Sequence, residues 1–118
     1  MAAVARVIDQ PASGVVIDTE HLSRMTLGEL SLQREVLALF DRQADMLLPR
    51  IRRGAPAVAA ASVHTLKGSA AGIGAFKVAS AAEAVEQAGD SAVAAAIDTL
   101  AAMLEEAKAE IDRLLQTN

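Results

Sequence analysis

Three short breaks decide how this chain folds. Gly54-Ala55-Pro56, Gly72-Ile73-Gly74 and Gly89-Asp90-Ser91 each place helix-stopping residues between two stretches of helical period. Connections this short return the chain alongside itself, so successive long helices become antiparallel neighbours. From Glu29 to Arg53 the series Leu30, Gln33, Leu37, Phe40, Ala44, Leu47, Ile51 recurs every three or four residues, with only Gln33 breaking it, and predicts a long amphipathic helix. Pro49 removes one backbone hydrogen bond near its end and should bend or loosen it. Gly54 follows the basic run Arg50, Arg52, Arg53 and is expected to stop the helix in the left-handed conformation. Pro56 suits the first turn of a third helix running to about Gly72, with a fourth from Ala75 to Ala88. Gly89-Asp90-Ser91 repeats the stop and cap chemistry before a fifth helix from Ala92 to Leu115, whose buried stripe is Val93, Ile97, Leu100, Leu104, Ile111 and Leu115. Ahead of these, Asp18 is a plausible N-cap for a short helix through Met25, and Thr26-Leu27-Gly28-Glu29 has capping-box spacing. The expected fold is all-α: an up-and-down antiparallel four-helix bundle over residues 18–118, capped by a short N-terminal helix. Residues 1–17 read as a tail.

Composition agrees and narrows the function. Alanine and leucine dominate, and two phenylalanines are the only large aromatics, leaving little of the β-branched and aromatic clustering of strands. A net charge of -4 offers no broad positive field, so no nucleic-acid partner is expected. Without cysteine there are no disulfides, thiolate metal sites or thiol nucleophiles, which fits a reducing compartment and makes the cytoplasm the default. Arg6 and Asp9 interrupt the N-terminus, so no signal peptide is read there, and no apolar run reaches the roughly eighteen residues of a membrane span.

His64 is one of two histidines. At about 100° per residue, Val63, Leu66, Ala70 and Ile73 point to the opposite side, which must face the core, and His64 points outward. Within about 60° of it lie Ala57, Ala60, Ala61, Lys67, Gly68 and Ala71. Apart from the histidine and the lysine, every one is small, so a partner's backbone could approach the imidazole closely. Glycine inside a helix costs about 1 kcal/mol relative to alanine, and Gly68 has no turn to make, which suggests that it clears space. A histidine near its ordinary pKa of about 6.5 keeps one ring nitrogen unprotonated and nucleophilic at neutral pH. Lys67, one turn away, could set an ammonium near phosphoryl oxygens.

The contiguous run His64-Thr65-Leu66-Lys67-Gly68-Ser69-Ala70-Ala71-Gly72-Ile73-Gly74-Ala75 resembles the signature of histidine-containing phosphotransfer (HPt) domains, and nearly the whole chain fits the length and helix order of a stand-alone member. The resemblance implies that His64 accepts a phosphoryl group from a receiver-domain aspartate or a histidine kinase and passes it to a response-regulator aspartate. Lys67 would be the electrostatic helper and Gly68 the clearance position, with no cofactor required. By similarity to the phosphorylated domain of chemotaxis kinases, Glu86 would orient the imidazole by accepting the Nδ1 proton. Nothing here resembles a G-x-x-x-x-G-K nucleotide loop, so the chain is expected to carry phosphate without making phosphohistidine from ATP. Leu22 and Met25 of the short helix are candidates for the apolar part of a docking surface that would also take in Ala57, Ala60, Ala61 and Ala71. Two other functions compete. A di-metal bundle needs paired Glu-x-x-His motifs, and Ala61 stands where His64 would need its glutamate. A helical adaptor, docking a signalling partner without chemistry, would leave His64, Lys67 and Gly68 without a joint purpose.

Overall fold

The computed structural model describes residues 14–116, so most of the expected tail lies outside the described residues. The helices are α1 (Thr19–Met25), α2 (Leu30–Arg53), α3 (Pro56–Gly72), α4 (Phe76–Gln87) and α5 (Val93–Gln116). Each of the four long helices packs on the next and α2 closes on α5, completing a four-helix ring, while α1 rests against α2. Among the described residues there is no strand.

Phe40, Ala44, Leu47 and Ile51 of α2 meet Val63, Leu66 and Ala70 of α3, Val78 and Val85 of α4, and Leu100, Leu104 and Ile111 of α5 in one core. Leu66, Leu100 and Ile111 are wholly inaccessible to solvent, and burial of each such side chain contributes about 2 kcal/mol. Ala70, Ala75, Ala82 and Ala107 are also fully buried, and such small side chains let the helix backbones approach closely. The expected stripes hold over most of their length. Leu30 is exposed and the buried series of α2 begins at Leu37, while Val93, Ile97 and Leu115 are only partly buried against the core. Ile17, placed in the tail from sequence, is 4% exposed and belongs to the core.

The caps differ from expectation in three places. Thr26 opens no capping box. It ends α1, its hydroxyl donating back to the Leu22 carbonyl at 2.7 Å, and Glu29 begins α2 with no side-chain cap bond. Leu27 and Gly28 take positive φ, and the Gly28 N–H donates to the Ser23 carbonyl at 2.8 Å, which closes the helix end. Gly54 stops α2 where expected, but with extended backbone (φ -74°, ψ 162°). Its smallness is what matters, since a Cβ there would lie 2.5 Å from the Arg50 carbonyl oxygen. At the α4–α5 link, Ala88 ends the helix in extended conformation and the Ala92 N–H donates to the Gly89 carbonyl, so neither a left-handed glycine nor a serine cap is used. Helix α2 remains continuous through Pro49.

One contact fixes α1 on the bundle. The Asp18 N–H donates to the Gly74 carbonyl at 2.9 Å, and the Asp18 side chain accepts from the His21 N–H to cap α1. Gly74 turns from α3 to α4 at φ +84°, and a Cβ there would sit 2.7 Å from the Asp18 carbonyl oxygen. His21 is partly buried, its ring edge-on to Phe76 at 5.1 Å between centroids.

Candidate functional site

Pro56 stands in the first turn of α3, where its missing N–H costs nothing, and the following alanines carry the helix on intrinsic propensity. Val63, Leu66 and Ala70 anchor one side in the core, joined by Ser62, whose hydroxyl donates to the Val58 carbonyl at 2.8 Å. The opposite side is thereby forced outward, and the His64 side chain is 76% exposed.

Helix α4 supplies what faces it. Val78, Ala81, Ala82 and Val85 turn inward, which sets Glu86, in the last turn, at the edge bordering α3. Its carboxylate spans two residues of α3. Oε2 lies 3.2 Å from His64 Nδ1, and Oε1 accepts a hydrogen bond from Lys67 Nζ at 2.6 Å. The Lys67 bond holds the Glu86 carboxyl below the usual carboxylate range; desolvation is the next largest effect and opposes it, and the His64 contact adds a lesser lowering. The same bond raises the Lys67 ammonium above its ordinary value. An ionised Glu86 has only acceptor atoms, so the pairing places an imidazole proton on Nδ1, and in the neutral ring the lone pair is then on Nε2.

The other sequence-named residues divide clearly. Ala57, Ala60, Ala61 and Gly68 are exposed around His64, and Ala71 is half-buried. A Cβ on Gly68 would meet no atom within 4 Å, so nothing inside the protein requires glycine there. Leu22 is corrected: it is 2% exposed and belongs to the core cluster, because α1 lies over the bundle with this side chain turned inward. It is not available to a docking surface. Met25 is 59% exposed, on a helix tied down at Gly74, about 15 Å along the axis of α3 from His64. Two features went unread in the sequence. Lys67 engages Glu86 across nineteen residues of chain. Beside it, Ala60, Val63, Val85 and Glu86 line a groove of about 650 Å³ that continues to Val93 and Ile97.

No helix of the described residues is long and apolar enough to cross a membrane. Comparison with curated proteins and with solved structures found no match. A model of the Hpt domain family matches residues 28–110, a span that contains α2, α3, α4 and most of α5 together with His64, Lys67, Gly68 and Glu86. With that match over most of its length and a ring of helices presenting one histidine, the chain belongs to the Hpt domain family, phosphotransfer modules of two-component signalling.

Proposed function

We propose that His64 is the phosphoryl carrier of a phosphorelay, loaded by a receiver-domain aspartate or a histidine kinase and unloaded onto a response-regulator aspartate in the cytoplasm. The observation that carries this reading is the exposed imidazole with its Nδ1 against Glu86. In the forward step the Nε2 lone pair attacks phosphorus, an N–P bond forms, and the P–O bond to the donor aspartate breaks with its electrons leaving on the carboxylate. The Nδ1 proton stays in place, held by Glu86, and stabilises the positive charge that the ring acquires. In the return step a receiver carboxylate oxygen attacks phosphorus and the N–P electrons go back to Nε2.

Such transfers depend chiefly on positioning and charge stabilisation. Glu86 is the positioning residue for the ring. Lys67, already within reach of Glu86, offers its ammonium to the phosphoryl oxygens once they arrive, and Gly68 leaves room for the partner.

The test is transfer from a receiver domain charged with a small-molecule acyl phosphate and Mg²⁺. Acid-labile label should appear on the wild-type protein as it leaves the receiver, and His64→Gln should take up none while keeping its helical content. Failure of a panel of charged receivers and kinases to label a folded wild-type protein would favour an adaptor role.

A further inference from the structure

Helix α4 turns a second carboxylate toward the histidine edge. Glu83 precedes Glu86 by three residues, so the two stand about 60° apart around the helix and about 4.5 Å apart along it. Val78, Ala81, Ala82 and Val85 fix the inward face, and Lys77, paired with Glu106 of α5, marks the far flank. Glu83 therefore shares the α3 flank with Glu86 but lies one step further from the core, and it is exposed. Because α3 and α4 run antiparallel from Gly72-Ile73-Gly74, the step from Glu86 back to Glu83 runs the same way as the step from His64 to Lys67. A phosphoryl group on Nε2 would stand about 10 Å from Glu83, one helical turn beyond the ring that Glu86 touches.

The charges on this edge do not balance. The Lys67 ammonium is committed to Glu86 at 2.6 Å. Glu83 takes part in no ion pair among the described residues. Its Oε2 accepts a hydrogen bond from the neutral Gln87 side chain at 3.1 Å, which draws the carboxylate toward the end of α4 nearest the histidine. The Glu86 hydrogen bond is the main cause that raises the Lys67 ammonium above its ordinary value, against desolvation, and the charges of Glu86 and Glu83 add to it. Glu83 thus acts through space on this cluster, which carries one excess negative charge before any phosphoryl group arrives.

We infer that Glu83 tunes how readily His64 gives up its phosphoryl group: its unpaired charge repels the phosphoryl oxygens and tilts the exchange equilibrium from the histidine toward the receiver aspartate. The inference rests on the phosphotransfer reading above. A phosphoryl group brings between one and two negative charges, and a neighbouring carboxylate disfavours it by like-charge repulsion. Across about 10 Å of solvated surface, one carboxylate shifts the equilibrium by about twofold at 0.01 M ionic strength, and the shift is screened away at 1 M, where the Debye length is about 3 Å. Exchanging the carboxylate for a cation doubles the change in charge, which makes the shift about fourfold.

The experiment lets wild type, Glu83→Gln and Glu83→Lys exchange phosphoryl groups with one receiver domain, approached from both directions, at 0.01 M and at 1 M ionic strength. The ratio of phosphohistidine to aspartyl phosphate on the free proteins does not depend on how tightly they dock, so it reports the phosphoryl group rather than the interface. At 0.01 M it should rise about twofold for Glu83→Gln and about fourfold for Glu83→Lys, and at 1 M both variants should match wild type. Glu105→Gln, which removes an exposed carboxylate on the α2 side of α5, should leave the ratio unchanged. Circular dichroism should be the same for all four proteins. An unchanged ratio in both Glu83 variants, a shift toward the receiver, an equal shift in Glu105→Gln, or a shift that persists at 1 M would overturn the inference. Failure of phosphoramidate and every receiver to label wild-type His64 would instead remove the phosphotransfer reading itself.

Discussion

Replacement of Gly68 by alanine should strengthen the fold, whereas replacement by glutamine should weaken function. Gly68 lies inside α3 with helical backbone, and an added Cβ would meet no neighbouring atom. Alanine there incurs no clash and restricts the unfolded chain, which gives about 0.5–1 kcal/mol of added stability. In a domain of this size that raises Tm by about 2–4 °C. The same methyl projects beside His64 into the space a partner must enter. Transfer from a charged receiver should slow by about threefold for Gly68→Ala and at least tenfold for Gly68→Gln, since displacement of reacting groups by about 1 Å can cost a hundredfold. Urea unfolding followed by circular dichroism gives the stability, and quenched-flow transfer gives the rate. A destabilised Gly68→Ala would mean that the glycine serves packing. Wild-type transfer by Gly68→Gln would end its role as a clearance position.

Two further outcomes follow from the geometry. Glu86 should titrate below the ordinary carboxylate range in carboxyl-detected NMR, and Lys67→Met should move it upward, because the Lys67 hydrogen bond is the largest cause of the depression. The sign is that of a lowered folded-state pKa: the contacts to His64 and Lys67 are complete above the unfolded value and are lost only as pH falls through the folded one. A Glu86 titration unaffected by Lys67→Met would refute this coupling. Gly74→Ala should cost about 2–3 kcal/mol, from about 1–2 for a left-handed alanine and about 1 for the displaced Asp18 hydrogen bond. Amide exchange at Leu22 should accelerate with it, and a loss under about 0.5 kcal/mol by urea titration would contradict the proposed tie between α1 and the bundle.

The parts of the structure legible in the sequence are those decided locally. Pro56 after Gly54, and the spacing of Phe40, Ala44, Leu47 and Ile51, fix a boundary and a buried face without reference to distant residues. Thr26 shows the limit of that logic. A threonine hydroxyl can bond forward as an N-cap or back to a preceding carbonyl, and its 4% exposure together with the glycine two residues on favours the second. Gly54 was located correctly for a different reason, close approach to Arg50 rather than left-handed backbone. Leu22 and Met25 share a seven-residue helix, too short for periodicity to say which one the bundle covers. At the site, the outward turn of His64 follows from the helical wheel. Its meeting with Glu86, and the capture of Lys67 by the same carboxylate, depend on the packing of α4 against α3, which no single-helix pattern encodes.

The most direct measurement is ¹⁵N–³¹P correlation NMR on histidine-labelled protein after loading by a charged receiver. The account predicts a single phosphohistidine with phosphorus on Nε2 of His64, the proton retained on Nδ1, and loss of the signal on return to an uncharged receiver. Phosphorus on Nδ1, on His21, or on no histidine of the folded protein would contradict it.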